Sequence, residues 1–225
     1  MPAPGASALH DNVLTAVGGG IASGTLAAGQ VITLDDISVQ HRVSRSLARE
    51  VIRVLESMGM VASRRRVGIT IQPASAWNVF DPRLIRWRLD SPDRPAQLAS
   101  LTELRRGFEP AAALLAAGRA GAAHCRELAA AASDMQMAVR SGDDATYRLA
   151  DKNFHRIVVE SSGNAMFRAL GDLAADVLCC DLSSAVGELH DTVARAIRQA
   201  DATAAEDAMR AVLDAAGAPM GLPLH

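Results

Sequence analysis

The strongest constraint on this fold is a change of hydrophobic period at Gly59. Before it, SRSLAREVIRVLESMG pairs Leu47 with Val51 and Val54 with Met58 at helical spacing, sets Glu50 beside Arg53, and begins with Ser44 where a helix takes its cap. After it, MVASRRRVGITIQP alternates apolar positions around an Arg-rich middle and Gly68 until Pro73. A stripe of period 3.6 that turns at a glycine into period 2 reads as a helix followed by a two-stranded hairpin, or wing. Two helices are expected upstream. Leu9, Val13, Val17 and Ile21 form one stripe over 9–23, although Gly18, Gly19 and Gly20 each cost a helix about 1 kcal/mol. Thr33 with Asp36 marks the start of LDDISVQH, which should end near His41.

Charge follows the same division. The net charge is only -2, but residues 1–72 hold seven Arg against five acids, while the remainder carries 16 basic and 20 acidic residues. An anionic partner therefore belongs to the first third. Three short helices and a wing over 9–73 is the layout by which a winged helix-turn-helix presents one helix to the major groove of DNA. Ser44, Arg45, Ser46 and Arg49 fall within the first two turns of the third helix, where guanidinium forks can read guanine edges and hydroxyls can hold phosphate. Arg64, Arg65 and Arg66 on the wing suit a phosphate backbone or a minor groove.

Residues 74–95 read as a linker with one short helix, capped by Asp81 and opened by Pro82; Trp77, Phe80, Leu84 and Trp87 are expected to pack that helix against the helical half of the chain. From 96 to 217 the pattern is helical throughout, with breaks expected at Gly118 and Gly121, Ser141-Gly142, Gly163-Asn164, Gly187 and Asp201, and a frayed tail after it. Aromatic residues make up only 3% of the 225 and the apolar stock is Ala, Val, Leu and Met, which favours helix-on-helix packing. The fold class is mainly α: a winged helix-turn-helix followed by an all-α helical bundle. No apolar run is long enough for a membrane span, and the first residues lack an export signal, so a cytoplasmic protein is expected. Cys125, Cys179 and Cys180 form no C-x-x-C pair and read as reduced thiols in a core.

In the helical half, Asp151 and His155 lie four residues apart, so both project from one helix face and could grip a cation or simply form a surface pair. His190 is a third candidate, expected to open a further helix, the alternative being a surface histidine at that helix end, and His124 is expected to sit beside a cap. Arg105 and Glu109 share the same spacing.

The stretch GTLAAGQVITLDDISVQHRVSRSLAREVIRVLESMGMVASRRRVGITI resembles the DNA-binding domain of the GntR family of bacterial regulators. By that resemblance Arg45 and Arg49 read bases, while Ser44, Ser46, Arg66 and Gly68 meet phosphate or the minor groove. One departure is visible: relatives often carry a basic residue in the second helix where this chain has Asp35 or Asp36. LTELRRGFEPAAALLAA, DKNFHRIVVESSGN and ELHDTVARAIRQADATAAEDAM resemble the all-helical effector domain, called FCD, of the FadR branch of that family. The resemblance implies a divalent metal, zinc or nickel, at Asp151, His155 and His190, with Val212 where a fourth ligand is usual. It also implies a carboxylate effector facing Arg105, the alternative being a surface pair with Glu109. WNVFDPRLIRWRLD resembles the linker of regulators that answer to sugar acids such as gluconate and galactonate.

The expectation is a transcriptional regulator, a repressor, that binds a palindromic operator as a homodimer and leaves it when an organic acid binds. Alternatives are an architectural DNA binder without effector and a metal-dependent enzyme. The enzyme lacks support, since no second general base, G-x-S-x-G or glycine-rich phosphate loop accompanies the Asp and His residues.

Overall fold

The computed structural model describes residues 6–174 and 184–216, and the chain divides into two compact units, one running to Leu98 and one from Ala99. Cys179, Cys180 and the tail after 216 lie outside the described residues.

The first unit comprises α1 (Ala6–Ala22), β1 (Val31–Ile32), α2 (Leu34–His41), α3 (Arg45–Ser57), β2 (Val61–Arg64), β3 (Gly68–Ile71), a short 3-10 turn at Ala74–Ala76 and α4 (Pro82–Leu89). Local chemistry sets the boundaries. Thr33 and Asp36 close a reciprocal capping box, Oγ1 of Thr33 accepting from the Asp36 amide at 3.1 Å and Oδ2 of Asp36 accepting from the Thr33 amide at 2.8 Å. Ser44 caps α3 by accepting from the Leu47 amide at 3.2 Å. The turn after α3 requires Gly59: its φ is +72°, and a Cβ there would lie 2.3 Å from the carbonyl oxygen of Ala76.

The wing is the expected hairpin, with Val61 opposite Ile71 and Arg64 opposite Gly68, but it is part of a three-stranded antiparallel sheet in the order β1-β3-β2. Glu56 ties α3 to the wing by accepting from the Ser63 amide at 2.8 Å. The apolar face of α3 (Ala48, Val51, Ile52, Leu55) packs with Val13, Val17 and Ile21 of α1 and with Ile69 and Ile71 of β3.

The linker helix α4 joins this core. Leu84 and Trp87 are buried with α1, Trp77 packs against the same cluster, and Phe80 is exposed. The expectation that all four turn toward the helical half is corrected on this point. Its cause is Gly18, which the sequence presented only as a weak spot in a helix. A Cβ at Gly18 would lie 2.3 Å from the Trp87 ring, so the bare backbone of α1 is what seats the indole.

The remaining elements are α5 (Arg94–Arg119), α6 (Ala122–Ser141), α7 (Asp144–Ser161), α8 (Ala165–Ala174), α9 (Ser184–Arg198) and α10 (Ala202–Ala216). Within the second unit α6 packs against α7 and α9, α8 lies on α7, and α10 lies on α9. Alanines at 112, 113, 116, 131 and 132 line the shared core and leave room for Phe108, Met135, Tyr147, Phe154 and Met209. Gly187, an expected break, lies inside α9, which therefore opens before His190 rather than at it. Cys125 is a half-buried free thiol. Among the described residues no helix is long and apolar enough to cross a membrane.

Candidate functional site

Two constellations stand out, one in each unit. In the first, the exposed face of α3 and the wing bound one groove, lined by Arg45, Arg49, Arg53, Arg64, Arg65 and Gly68 among others. Arg45 is the first residue of α3 and Arg49 follows one turn later, both exposed, so their forks project from the helix start. Ser46 is exposed nearby, and Ser44 keeps its hydroxyl proton free to donate while its oxygen caps the helix. Arg66 sits at the hairpin turn with φ +66°. Gly68 has a fold-level reason to be glycine: with φ +113°, its Cβ would lie 2.8 Å from Val31 Cγ1 and 3.1 Å from the Ile32 carbonyl oxygen of β1.

The two acids of α2 do different things. Asp36 is consumed by the capping box. Asp35 faces the groove, and its Oδ2 accepts from Arg45 Nη2 at 2.6 Å.

The second constellation is buried. Asp151 and His155 on α7 and His190 on α9 bring one donor atom each to within 4.8 Å of one another. Nε2 of His190 lies 3.1 Å from Oδ1 of Asp151 and 3.4 Å from Nε2 of His155, and His155 Nε2 lies 3.6 Å from the same Asp151 oxygen. Asp151 and His190 are 0% exposed and His155 is 4%. This burial excludes the readings of Asp151 and His155 as a surface pair and of His190 as a surface histidine at a helix end.

Behind His155 stands a residue that sequence reasoning treated only as a neighbour of Arg105. Glu109, 2% exposed, places Oε2 at 2.7 Å from His155 Nδ1, while Arg105 donates Nε to Glu109 Oε1 at 2.6 Å and Nη2 to Oε2 at 3.3 Å. Arg105 is 6% exposed, so the pair is not on the surface. A cavity of about 190 Å³ opens over it, lined by Arg105, Glu109, His155, Lys152, Arg156 and Arg168 among others. The signal for Glu109 was present in the sequence as a charged pair on an alanine-rich helix, but its inward direction depends on the other helices.

The electrostatics couple these groups. Burial by itself would raise the Glu109 carboxyl, but the charges of His155 and Arg105 and hydrogen bonds from both hold it at about 2. Burial likewise opposes the charge on Asp151, yet hydrogen bonds and charges from His155 and His190 hold its carboxyl well below the usual carboxylate range. Burial would lower His155; the Glu109 charge, helped by hydrogen bonds to Asp151 and Glu109, raises it. Two imidazole nitrogens and a carboxylate oxygen converging in a buried site form a donor set that suits a divalent transition ion. Glu109 completes the fit: with its carboxylate 2.7 Å from Nδ1 it would hold the His155 proton there and leave the Nε2 lone pair for an ion shared with Asp151 and His190. Val212 is buried in the core and offers no ligand atom.

Comparison with known proteins agrees with this division. Residues 10–71 match the bacterial regulatory proteins of the gntR family, and residues 100–215 match the FCD domain. An uncharacterized HTH-type transcriptional regulator, YieP, of Escherichia coli is 27% identical over 196 residues, covering 84% of each chain. The galactonate operon transcriptional repressor of the same organism is 26% identical over 161 residues, covering 71% of this chain and 69% of that one. Among solved structures, a Streptococcus agalactiae GntR has a TM-score of 0.53 at 24% identity, covering 92% of this chain and 97% of its own. Lar of Listeria monocytogenes has a TM-score of 0.59 at 15% identity, covering 91% and 92%. The matches are to regulators rather than enzymes.

Proposed function

The chain belongs to the GntR family of DNA-binding transcriptional regulators and carries an FCD domain, and on that premise we propose that it is a homodimeric repressor released from a palindromic operator by a small organic acid. In this reading Arg45 and Arg49 read bases, and Ser44, Ser46, Arg64, Arg65 and Arg66 hold the backbone or the minor groove of each half-site. Two-fold symmetry matches half-sites roughly one helical turn apart.

The observation that carries the effector half of the proposal is Arg105, buried at the cavity beside His155 and already clamped by Glu109. A buried guanidinium aimed by a second carboxylate is pre-organised to take an incoming one through a two-pronged hydrogen bond. Asp151, His155 and His190 would hold a divalent ion, zinc or nickel, with Glu109 orienting His155 from behind. Held by three protein ligands, such an ion would have positions left for carboxylate and hydroxyl oxygens. That chemistry favours a hydroxy acid, and a sugar acid such as galactonate or gluconate is the preferred class, supported by the similarity to a galactonate operon repressor. An acid shifts the DNA-bound state only through a difference in its affinity for the bound and released forms, so its capture must favour a spacing of the two α3 helices that misfits the operator.

A thermal-shift screen of sugar acids and hydroxy acids, with and without chelator, tests this reading. One class of acid should stabilise the protein in a metal-dependent way. Arg105→Ala and Asp151→Ala should each abolish that stabilisation while operator affinity stays within a few-fold. Both variants responding like the wild type would overturn the site assignment.

A further inference from the structure

Asp35 stands out on the DNA-facing surface because it is a carboxylate where a polyanion is to dock. It lines the same groove as Arg45, Arg49, Arg53, Arg64 and Arg65. Its place is fixed from two sides. The capping box of Thr33 and Asp36 pins the first turn of α2, and Asp35 is the second residue of that turn. Ser44 pins the start of α3, and Arg45 is its first residue. The two side chains meet at 2.6 Å across the helix-turn-helix, 64% and 69% exposed respectively.

An ion pair this exposed adds little to folding stability, because water screens it and both side chains lose freedom to make it. Facing DNA it has a cost as well, since a fixed negative charge repels phosphates. An acid in the first turn of α2 gains a little from the helix N-terminus, which any first-turn position would supply; what sets Asp35 apart is its contact with Arg45. An arginine reaches a base edge through a long stem with many rotamers, and its discrimination depends on presenting two N–H groups in plane to guanine O6 and N7. Asp35 takes one proton of Nη2 and leaves the other, together with both protons of Nη1, for the fork. Docking also removes water from the groove, which strengthens the charge-assisted bond when the base is being read.

We infer that Asp35 is a positioning residue that fixes the Arg45 fork and sharpens its preference for guanine at one base pair of each half-site. The inference rests on the reading of Arg45 as a base reader, and the test separates the two. A preferred duplex is first selected with the wild-type full chain from a randomised DNA library. Binding of the wild type, Asp35→Asn, Asp35→Ala, Arg45→Ala and the Asp35→Ala/Arg45→Ala double variant is then measured on that duplex, on its single-base-pair substitutions and on a random duplex, at two salt concentrations.

Arg45→Ala should lose about tenfold in discrimination at one symmetric pair of positions, within the range for a bidentate contact. Asp35→Asn and Asp35→Ala should lose a comparable factor at the same positions while binding the random duplex somewhat more tightly, and the double variant should lose no more than Arg45→Ala alone. If Arg45→Ala discriminates less and the Asp35 variants keep full discrimination with uniformly tighter binding, Asp35 only repels the backbone and the inference falls. If Arg45→Ala weakens all duplexes equally, the reading of Arg45 fails and the inference falls with it.

Discussion

Replacing Glu109 by Gln keeps the side chain's volume and removes its charge, so the effect isolates electrostatics from packing. The magnitude can be worked from the site. The Glu109 carboxyl is held from 4.5 down to about 2 by His155 and Arg105, and at about 1.4 kcal/mol for each tenfold step in proton affinity this is about 3 kcal/mol of preference for the charged form. The same size follows from the general cost of breaking a buried ion pair, about 3–5 kcal/mol. For a unit of this size a loss of about 3 kcal/mol lowers the unfolding midpoint by about 10 °C. Chelator-treated wild type and Glu109→Gln should be compared at pH 6 by thermal and urea unfolding, with Glu127→Gln on the exposed side of α6 as the control, expected to stay within about 0.5 kcal/mol. Zinc affinity of Glu109→Gln should also fall about 10- to 100-fold, because the amide no longer holds the His155 proton on Nδ1 as firmly. A loss below about 1 kcal/mol together with unchanged zinc affinity would refute the coupling of Arg105, Glu109 and His155.

Further tests address pH, packing and the missing ligand. In the metal-free protein the depressed carboxyls of Glu109 and Asp151 contribute stability above about pH 4.5 that is lost as pH falls through their folded values. The raised His155 contributes stability below about pH 6.5 that is lost as pH rises through its folded value. Urea titrations across pH should therefore peak between about 4.5 and 6.5, and Glu109→Gln should blunt the alkaline decline. Gly18→Ala should destabilise the first unit by about 1–3 kcal/mol because its methyl meets the Trp87 ring at 2.3 Å. Gly19→Ala, with nothing within 4 Å, should stabilise it by up to about 1 kcal/mol; equal shifts in unfolding midpoint would contradict the seating of Trp87. Val212→His places an imidazole in a buried position. It should cost about 1–3 kcal/mol without metal and raise zinc affinity at least tenfold in a chelator competition; unchanged affinity would mean that the side chain at 212 does not face the donors.

Much of the first unit was legible because its boundaries are set by local chemistry. Thr33 with Asp36, Ser44 and Gly59 each act within a few residues, so α2, α3 and the following turn stand where the sequence puts them. The strand Val31–Ile32 was not legible: two residues carry no alternation, and they become a strand only by pairing with Thr70 and Ile69. Gly187 misled for the opposite reason, since a cost of about 1 kcal/mol in a helix is outweighed by the burial of Val193, Ala194, Ala196 and Ile197 further along α9. Trp87 misled because its partner is a glycine, whose use as a seat for an indole leaves no mark in a hydrophobic pattern.

In the candidate metal centre, the spacing of Asp151 and His155 brought the pair into view with His190 as a third candidate, and resemblance joined the three into one site and added Arg105. Glu109 stayed hidden because a spacing of four residues fits a solvated pair as well as a buried clamp. Only the packing of α5 against α7, which brings Glu109 to His155, decides between them.

The link from acid to DNA is tested most directly by fluorescence anisotropy of a labelled duplex from the chain's own upstream region, titrated with the stabilising acid in the presence of zinc and again with chelator. Salt-sensitive binding that the acid reverses with zinc present, and that Arg105→Ala no longer releases, is the expected result. Binding that persists at saturating acid, or no salt-sensitive binding at all, would contradict it.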